Sequence, residues 1–169
     1  DLEAYMSTGY RLGSGEPVPY EIVNGYPAGS QSSSATDMAK FMLMHLNGGK
    51  LDDAQILKRD TAVMMQDTVT KVDPRQNGIA LGFYELSRNG MRIISHGGDT
   101  IAFHSDMHLI PAENLGFFVS YNSTGRGDTA PRGQLWRKFL DRYYPYTPPA
   151  ANGGTATGLT AAEVVGSYQ

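Results

Sequence analysis

The sequence contains no cysteine among its 169 residues. Disulfide bonds, thiolate catalysis and cysteine-ligated metal sites are therefore excluded, while oxidising and reducing compartments both stay open. Long apolar runs are also absent, since stretches such as residues 116–119 are far shorter than the roughly twenty residues that a membrane-spanning helix needs. We therefore expect no membrane segment in this chain.

A surplus of positive charge is absent as well. Lys and Arg total 14 against 17 Asp and Glu, the formal net charge is -3, and the basic residues are scattered. Because no basic field attracts phosphate, we expect no nucleic-acid partner. The chain also begins at Asp1, without an initiator methionine or a basic-then-apolar leader. This start is typical of a processed product or of a piece of a longer protein.

The sequence does contain clear helix signals. Ser34 followed by Asp37 forms a Ser-x-x-Asp capping pattern, and Asn47-Gly48-Gly49 supplies a stop after a run of apolar residues at helical spacing. The pattern predicts one helix over residues 34–46 and a shorter one over residues 59–66.

Strand signals begin at residue 79. Four strands are predicted, over residues 79–86, from residue 91 into His96, over residues 101–110 and over residues 115–121. The hairpin signal Asn89-Gly90 and other short turns join them in sequence, which favours an antiparallel meander. Pro131 then opens an amphipathic helix that can cover the sheet. The predicted fold class is α+β, an antiparallel meander sheet of about four strands with flanking helices.

Composition divides the chain into three parts. Residues 1–145 hold the predicted helices and strands of one domain. Residues 146–158 are rich in Pro and Gly and are predicted to be a linker. Residues 159–169 contain a capping pattern, Thr160 with Glu163, and are predicted to start a further, truncated module.

The stretch Ser95-His96-Gly97-Gly98-Asp99-Thr100 is the leading candidate for a functional site. Glycine in a strand weakens it and marks either a bulge or a close approach of the backbone to a ligand. In the second case His96 supplies charge or a proton near neutral pH, while the backbone N–H of Asp99 points at a developing oxyanion. The alternative is a bulge with a surface histidine beside it.

Two other groups of residues suggest different chemistry. His104-x-Asp106-x-His108 places three potential metal ligands on one strand face. No separate ligand cluster completes this set, so we favour a solvent-facing polar side with the intervening apolar residues facing inward, and we predict no metal and no other cofactor. Spacing neither supports nor excludes a triad of His96, an aspartate and a loop serine.

A series of short motifs extends along the chain. In order they are Pro27-Ala28-Gly29, residues 34–41, Leu46-Asn47-Gly48-Gly49, Ile56-Leu57, Leu81-Gly82-Phe83, His96-Gly97-Gly98, Leu109-Ile110-Pro111 and Tyr121-Asn122-Ser123. Their order and spacing resemble the C-terminal half of the class C β-lactamase-like serine hydrolases, a superfamily that includes penicillin-binding proteins, D-aminopeptidases and β-lactamase-fold esterases. The likeness covers about residues 10–143 and implies a partial β-lactamase/transpeptidase-like fold.

The resemblance implies roles for the His-Gly-Gly stretch. In that family the corresponding motif lies on the strand that lines the active site, and the next residue donates a backbone N–H to the oxyanion hole. By this likeness the candidate catalytic residues are His96 and Asp99. The candidate substrate-binding residues are Gly97, Gly98, Thr100 and Asn122, with Asn122 near the pocket rim.

Two motifs of that family are missing. No serine has a lysine three residues on, and Tyr121-Asn122 lacks the intervening residue of the family's Tyr-x-Asn. The resemblance therefore implies that this chain is part of a longer serine hydrolase, that its partner is the missing N-terminal half, and that the chain alone is inactive.

The implied substrate is a small molecule or peptide: a β-lactam, a D-amino-acid peptide or an ester. The family also implies a periplasmic or secreted location. The alternative is a non-catalytic peptide- or partner-binding module on the same fold.

Overall fold

A computed structural model describes residues 3–13, 15–125 and 131–148. Within these ranges the strands and α-helices are, in chain order, β1 (Gly9–Tyr10), β2 (Pro17–Val18), α1 (Ala35–Leu46), β3 (Lys50–Leu51), β4 (Ala54–Gln55), α2 (Arg59–Gln66), β5 (Tyr84–Glu85), β6 (Ile94–Asp99), β7 (His104–Ile110), β8 (Leu115–Tyr121) and α3 (Pro131–Tyr143). Strands β5 to β8 form an antiparallel sheet in sequence order, which confirms the predicted α+β meander. Most of the predicted linker and all of the predicted further module lie outside the described residues.

Helix α1 begins and ends as its sequence predicts. The Ser34 hydroxyl accepts a hydrogen bond from the Asp37 N–H at 3.1 Å and donates one to the Asp37 carboxylate at 2.9 Å. At the other end Gly49 adopts a φ of 87°, and a Cβ there would lie 2.2 Å from the Leu57 carbonyl oxygen. Only glycine fits this stop. The predicted helix α2 is also confirmed.

The hairpin between β5 and β6 is confirmed as well. Asn89 and Gly90 both have positive φ, 54° and 77°, as a type I′ turn requires. Arg88 and Met91 exchange backbone hydrogen bonds of 3.1 and 2.9 Å across this turn.

Two predicted strands are shorter than expected, and the strand predicted from residue 91 into His96 is shifted to Ile94–Asp99. The strand predicted over residues 79–86 reduces to β5, because the Ala80 N–H donates to the Phe83 carbonyl at 2.9 Å and Gly82, at φ 79°, turns the chain. The strand expected from residue 91 becomes regular at Ile94. The strand predicted from residue 101 begins at His104, because a turn closed by the Thr100 N–H and the Phe103 carbonyl precedes it.

The sheet has an apolar core on each face. On one face Met42 of α1 packs against residues of β6 and β7: Ile94, Met107 and Leu109. Gly116 of β8 lets α1 approach, since a Cβ there would lie 3.0 Å from the Met42 sulfur. On the other face α3 packs through Trp136 and Leu140 against Ile93 and Ile110.

The polar side of β7 faces α3, so the expectation that it faces solvent was wrong. His108 is 2% exposed, and its ring stacks on Trp136 at 4.1 Å with 5° between the planes. Arg132 of α3 lies over Asp106, with 3.4 Å between Nε and Oδ2. The alternation of polar and apolar residues along β7 correctly predicted that the strand has two distinct faces. It did not indicate that α3 would cover the polar face.

Candidate functional site

The His-Gly-Gly stretch occupies the exposed end of β6. Ser95 is 2% exposed and belongs to the buried part of the strand. The next residues emerge from the core: His96, Gly98 and Asp99 are exposed, and Gly97 is half-buried. The candidate residues thus lie where the sheet meets solvent.

One edge of β6 is open beside these residues. Strand β5 pairs with β6 only through Tyr84 with Ser95 and Glu85 with Ile94. Before Tyr84 the chain turns away from the sheet. Within the described parts of the chain, residues 96–99 therefore have a strand neighbour, β7, on one side only. Such an edge presents backbone donors and acceptors to an incoming strand or ligand.

The backbone N–H of Asp99 points to this open edge. The next N–H, that of Thr100, donates to the Phe103 carbonyl at 2.9 Å and so points toward the β7 side. Successive N–H groups of a strand point to opposite edges. The N–H groups of Asp99 and Gly97 therefore face away from β7, where a ligand carbonyl can accept from them.

The two glycines of the stretch have different surroundings. A Cβ on Gly97 would lie 2.8 Å from Asp106 Oδ1, on the α3 face, so a side chain there would displace that carboxylate. A Cβ on Gly98 would meet no heavy atom within 4 Å, and Gly98 does not have positive φ. The described residues thus give no packing reason for glycine at 98. Gly98 shares its face with His96, whose ring stacks on Tyr84 at 5.2 Å.

The Asp99 carboxylate faces α3 and is already paired. Its two oxygens lie 2.6 Å from Arg132 Nη2 and 2.6 Å from His104 Nδ1. Partial burial opposes ionisation, but the hydrogen bonds from Arg132 and His104 outweigh it and lower the pKa of Asp99. This carboxylate is held as an anion away from the open face, so the group of Asp99 that can reach a ligand there is its N–H.

Thr100 lies in the turn between β6 and β7. Its hydroxyl donates to the Glu21 carboxylate and accepts from the Phe103 N–H at 3.0 Å. The same carboxylate accepts from the N–H groups of Ile101 at 2.7 Å and Ala102 at 3.0 Å. The Thr100 side chain therefore bonds to Glu21 of the N-terminal segment and to the backbone of its own turn.

Asn122 is not brought to the His-Gly-Gly edge. It follows β8, two strands away from β6. Its side-chain amide donates to the Thr8 carbonyl at 2.8 Å, and its own carbonyl accepts from the Tyr10 N–H at 2.8 Å. These contacts tie strand β1 to the end of the sheet.

Sequence reasoning missed Arg132, in the first turn of α3. Its Nη1 donates to the Gly98 carbonyl at 3.1 Å and to the Ser105 carbonyl at 2.9 Å. Nη2 and Nε approach the carboxylates of Asp99 and Asp106, at 2.6 and 3.4 Å. The sequence contained one signal for this residue: Arg132 directly follows Pro131, at the start of a helix expected to cover the sheet. That position did not indicate which part of the sheet the arginine would contact.

The histidines of β7 do not form a metal cluster. Within the described ranges no group of three or more His, Cys, Asp and Glu side chains is arranged to hold a metal ion. His108 Nε2 lies 4.0 Å from Asp106 Oδ2. Burial, with a smaller contribution from the Arg132 charge, lowers the pKa of His108 to about 4. Burial raises the pKa of Asp106 despite the same arginine. These groups form a partly buried polar layer under α3.

His45 of α1 packs in the core. It is 1% exposed and makes edge-to-face contacts with Phe41 and Phe83 at 4.7 and 5.1 Å. Burial lowers its pKa. A cavity of about 430 Å³ lies beside it, between the C-terminal end of α1 and α2, away from the His-Gly-Gly edge.

The fold and the candidate site together define the class of protein to which the chain belongs. A four-stranded antiparallel sheet with a helix on each face, and a His-Gly-Gly stretch on an open strand edge, is the partial β-lactamase-like architecture expected from the motif order. The family model for beta-lactamases matches residues 3–140, and the chain therefore belongs to the beta-lactamase family, which is of the serine hydrolase kind.

Solved structures support the same fold. The chain is similar to a class C beta lactamase from Rhodobacter sphaeroides, with a TM-score of 0.61, 14% identity and coverage of 83% of this chain and 47% of that chain. It is also similar to an octameric penicillin-binding protein homologue from Pyrococcus abyssi, with a TM-score of 0.59, 23% identity and coverage of 79% and 30%. The chain thus spans less than half the length of either protein. A comparison with curated protein sequences finds no match.

None of the helices in the described ranges combines the length and the apolar character needed to cross a lipid bilayer.

Proposed function

We propose that this chain forms one wall of the acyl-transfer site of a serine hydrolase. The observation that carries the proposal is the exposed edge of β6, where Gly98 has no packing partner that would exclude a side chain. A glycine that neither packing nor backbone conformation requires is explained by the close approach of something outside the described residues. A substrate held along this edge is such a group.

In the proposed mechanism Asp99 acts through its backbone. Its N–H is one donor to the oxyanion that develops when a nucleophile attacks the substrate carbonyl. Because the N–H is fixed in a strand, little reorganisation is needed when charge appears on that oxygen. Loss of one such donor costs on the order of a hundredfold or more in rate. The remaining backbone groups of the edge can pair with a peptide-like substrate.

His96 lies beside this edge and supplies charge or a proton. Its ring is exposed and stacked on Tyr84, so its orientation is restricted while it stays accessible. An exposed imidazole at this position suits either stabilisation of an anionic substrate or proton transfer. Gly97 and Gly98 keep the neighbouring surface bare. Thr100 and Asn122 serve the proposed site indirectly, by holding the turn and the sheet end.

The nucleophile and base come from another part of the protein in this proposal. No Ser-x-x-Lys motif occurs in the 169 residues. The partner of this wall is a segment that carries such a motif and completes the fold, as the coverage of 47% and 30% of the two solved chains allows. Its serine oxygen would bond to the carbonyl carbon of a β-lactam, D-amino-acid peptide or ester. The leaving amine or alcohol would take up a proton, and water would then release the acyl group.

The test is turnover by the longer protein that includes the coding sequence upstream of Asp1. We expect it to encode Ser-x-x-Lys and to hydrolyse nitrocefin, a p-nitrophenyl ester or a D-amino-acid peptide. His96→Ala should lower kcat on the order of a hundredfold with the fold intact. The exposed Lys138→Ala on α3 is the matched control and should leave kcat unchanged. Unaltered kinetics in His96→Ala would remove His96 from the mechanism.

The absence of Ser-x-x-Lys from the chain also favours a second candidate, a non-catalytic module that binds a peptide or partner chain on the same open edge. The upstream coding sequence separates the two functions. An intact Ser-x-x-Lys motif supports the enzyme, and replacement of its serine supports the binding module.

A further inference from the structure

Arg132 joins α3 to the His-Gly-Gly end of the sheet. Its side chain is 17% exposed and contacts both strands of the β6–β7 pair. Nη1 donates to the carbonyls of Gly98 and Ser105 at 3.1 and 2.9 Å, while Nη2 binds the Asp99 carboxylate at 2.6 Å. One guanidinium thus holds two backbone carbonyls and the side chain of the proposed oxyanion donor. In the described ranges no other arginine forms a hydrogen bond or an ion pair with this stretch.

The Gly98 carbonyl belongs to the same peptide unit as the Asp99 N–H. A trans peptide is planar, and its C=O and N–H point in opposite directions. By holding the Gly98 oxygen on the α3 and β7 side, Arg132 directs the Asp99 N–H to the open edge. We propose that Arg132 is a positioning residue for the oxyanion donor of this site, an inference that rests on the function proposed above.

This peptide unit needs a restraint beyond the sheet itself. It is flanked on its N-terminal side by two successive glycines, which have the widest conformational freedom of any residue. Strand β7 holds it on one side, but in the described ranges no strand pairs with it on the other. The bonds from Arg132 to the Gly98 carbonyl and to the Asp99 carboxylate fix both ends of the unit against rotation.

Arg132 also makes the N–H a stronger donor. A hydrogen bond from a charged group is stronger than one between neutral groups. A carbonyl that accepts such a bond withdraws electrons from its own amide nitrogen, so hydrogen bonds in a chain polarise one another. The charge of Arg132 therefore acts on a developing oxyanion through one peptide unit, without direct contact between them.

The test uses the longer hydrolase with Arg132→Gln and Arg132→Lys, and Arg137→Gln as the control. Arg137 is an exposed arginine on the same helix. We expect Arg132→Gln to lower kcat about tenfold and to change KM less than about twofold. The loss is smaller than the hundredfold or more that removal of an oxyanion donor costs, because the Asp99 N–H is still present in this variant. Arg132→Lys keeps the charge but cannot span both carbonyls and the carboxylate, so we expect a smaller loss, about threefold. Arg137→Gln should retain wild-type kinetics.

The ¹⁵N and ¹H chemical shifts of the Asp99 amide give a second readout that does not depend on turnover, while the loss in kcat without a matching change in KM is the readout that a merely structural role would not produce. We expect this resonance to shift in both Arg132 variants and to stay in place in Arg137→Gln. A wild-type kcat in Arg132→Lys, with the protein folded and the Asp99 resonance unmoved, would overturn the positioning role and leave the hydrolase proposal intact. Absence of turnover in the wild-type longer protein would instead refute the hydrolase proposal, and the Asp99 resonance would still decide whether Arg132 orients the peptide.

Discussion

Two adjacent glycines in β6 have opposite surroundings. Gly97 faces the Asp106 carboxylate, whose oxygen would lie 2.8 Å from an added Cβ, and that carboxylate is itself held by Arg132. Gly98 faces open space on the His96 side. The sequence shows only two glycines in a row, so it does not reveal that one serves packing and the other leaves the surface bare.

The matched pair Gly97→Ala and Gly98→Ala separates these roles. We expect Gly97→Ala to lower the free energy of unfolding by about 1–3 kcal/mol, because the added methyl overpacks the layer under α3. Gly98→Ala should leave the free energy of unfolding near wild type and lower kcat/KM of the longer hydrolase, because the methyl obstructs substrate. Urea unfolding and steady-state kinetics measure the two effects. Wild-type kcat/KM in Gly98→Ala would contradict the proposed role of this surface.

His108 makes stability depend on pH. Its pKa is about 4 in the folded protein against 6.5 for an ordinary histidine, because of burial and then the Arg132 charge. Between these values the unfolded chain binds a proton that the folded chain does not, so stability is complete above about pH 6.5 and falls as pH decreases toward 4. The contribution is on the order of 3 kcal/mol.

Replacement of this histidine by phenylalanine tests the pH dependence. We expect urea unfolding of His108→Phe to lose less stability between pH 7 and pH 4 than the wild type does. His45, whose pKa burial also lowers, titrates in both proteins and cancels in this difference. Asp106, whose raised pKa acts in the opposite sense, lies 4.0 Å from His108, so the difference also contains any change in the Asp106 pKa. Met107→Leu, on the opposite face of the same strand, is the control and should keep the wild-type slope. An identical slope in His108→Phe would show that this histidine is not buried as described.

The turn between β6 and β7 depends on a distant segment of the chain. Glu21 accepts hydrogen bonds from the Thr100 hydroxyl and from the N–H groups of Ile101 and Ala102. The hydrogen bond from Thr100 contributes most to lowering the pKa of Glu21; burial is the next-largest cause and opposes it, and the hydrogen bonds from the two backbone N–H groups lower the pKa further. The ionised carboxylate thus fastens the turn that ends the proposed site.

Loss of this carboxylate should loosen the turn locally. In Glu21→Gln we expect faster hydrogen exchange at the Ile101 and Ala102 amides, because the amide replaces an ionised acceptor by a neutral one. Hydrogen-exchange NMR or mass spectrometry measures the change. Glu16→Gln, an exposed glutamate of the same N-terminal segment, should exchange at the wild-type rate. Equal protection in Glu21→Gln and the wild type would show that Glu21 does not hold this turn.

The accuracy of the sequence predictions depends on the range of the interactions involved. Helix α1 was predictable because its cap, Ser34 with Asp37, and its glycine stop are local signals. The strand over residues 79–86 was overextended because the turn at Gly82 was not recognised in an apolar run. The polar face of β7 was misplaced, and Arg132 missed, because both depend on how α3 packs on strands more than twenty residues earlier.

At the scale of the molecule, the described residues have part of the fold of their family, and the chain spans less than half of the solved chains it resembles, 47% and 30% of their lengths. It contains the His-Gly-Gly edge and, within its 169 residues, no Ser-x-x-Lys. The motif order identified the family from sequence alone. The role proposed for each residue at the edge needed the structure, because the direction of the Asp99 N–H and the surroundings of Gly98 depend on strand pairing.

The most direct test of this account is hydrolysis of nitrocefin and a p-nitrophenyl ester by the purified 169-residue chain, with and without a separately expressed upstream segment that carries the Ser-x-x-Lys motif. The account predicts no turnover by the chain alone, because it assigns the chain an oxyanion donor but no activated serine. It predicts turnover when the upstream segment is present. Turnover by the chain alone, abolished by substitution of one of its own serines, would contradict the account.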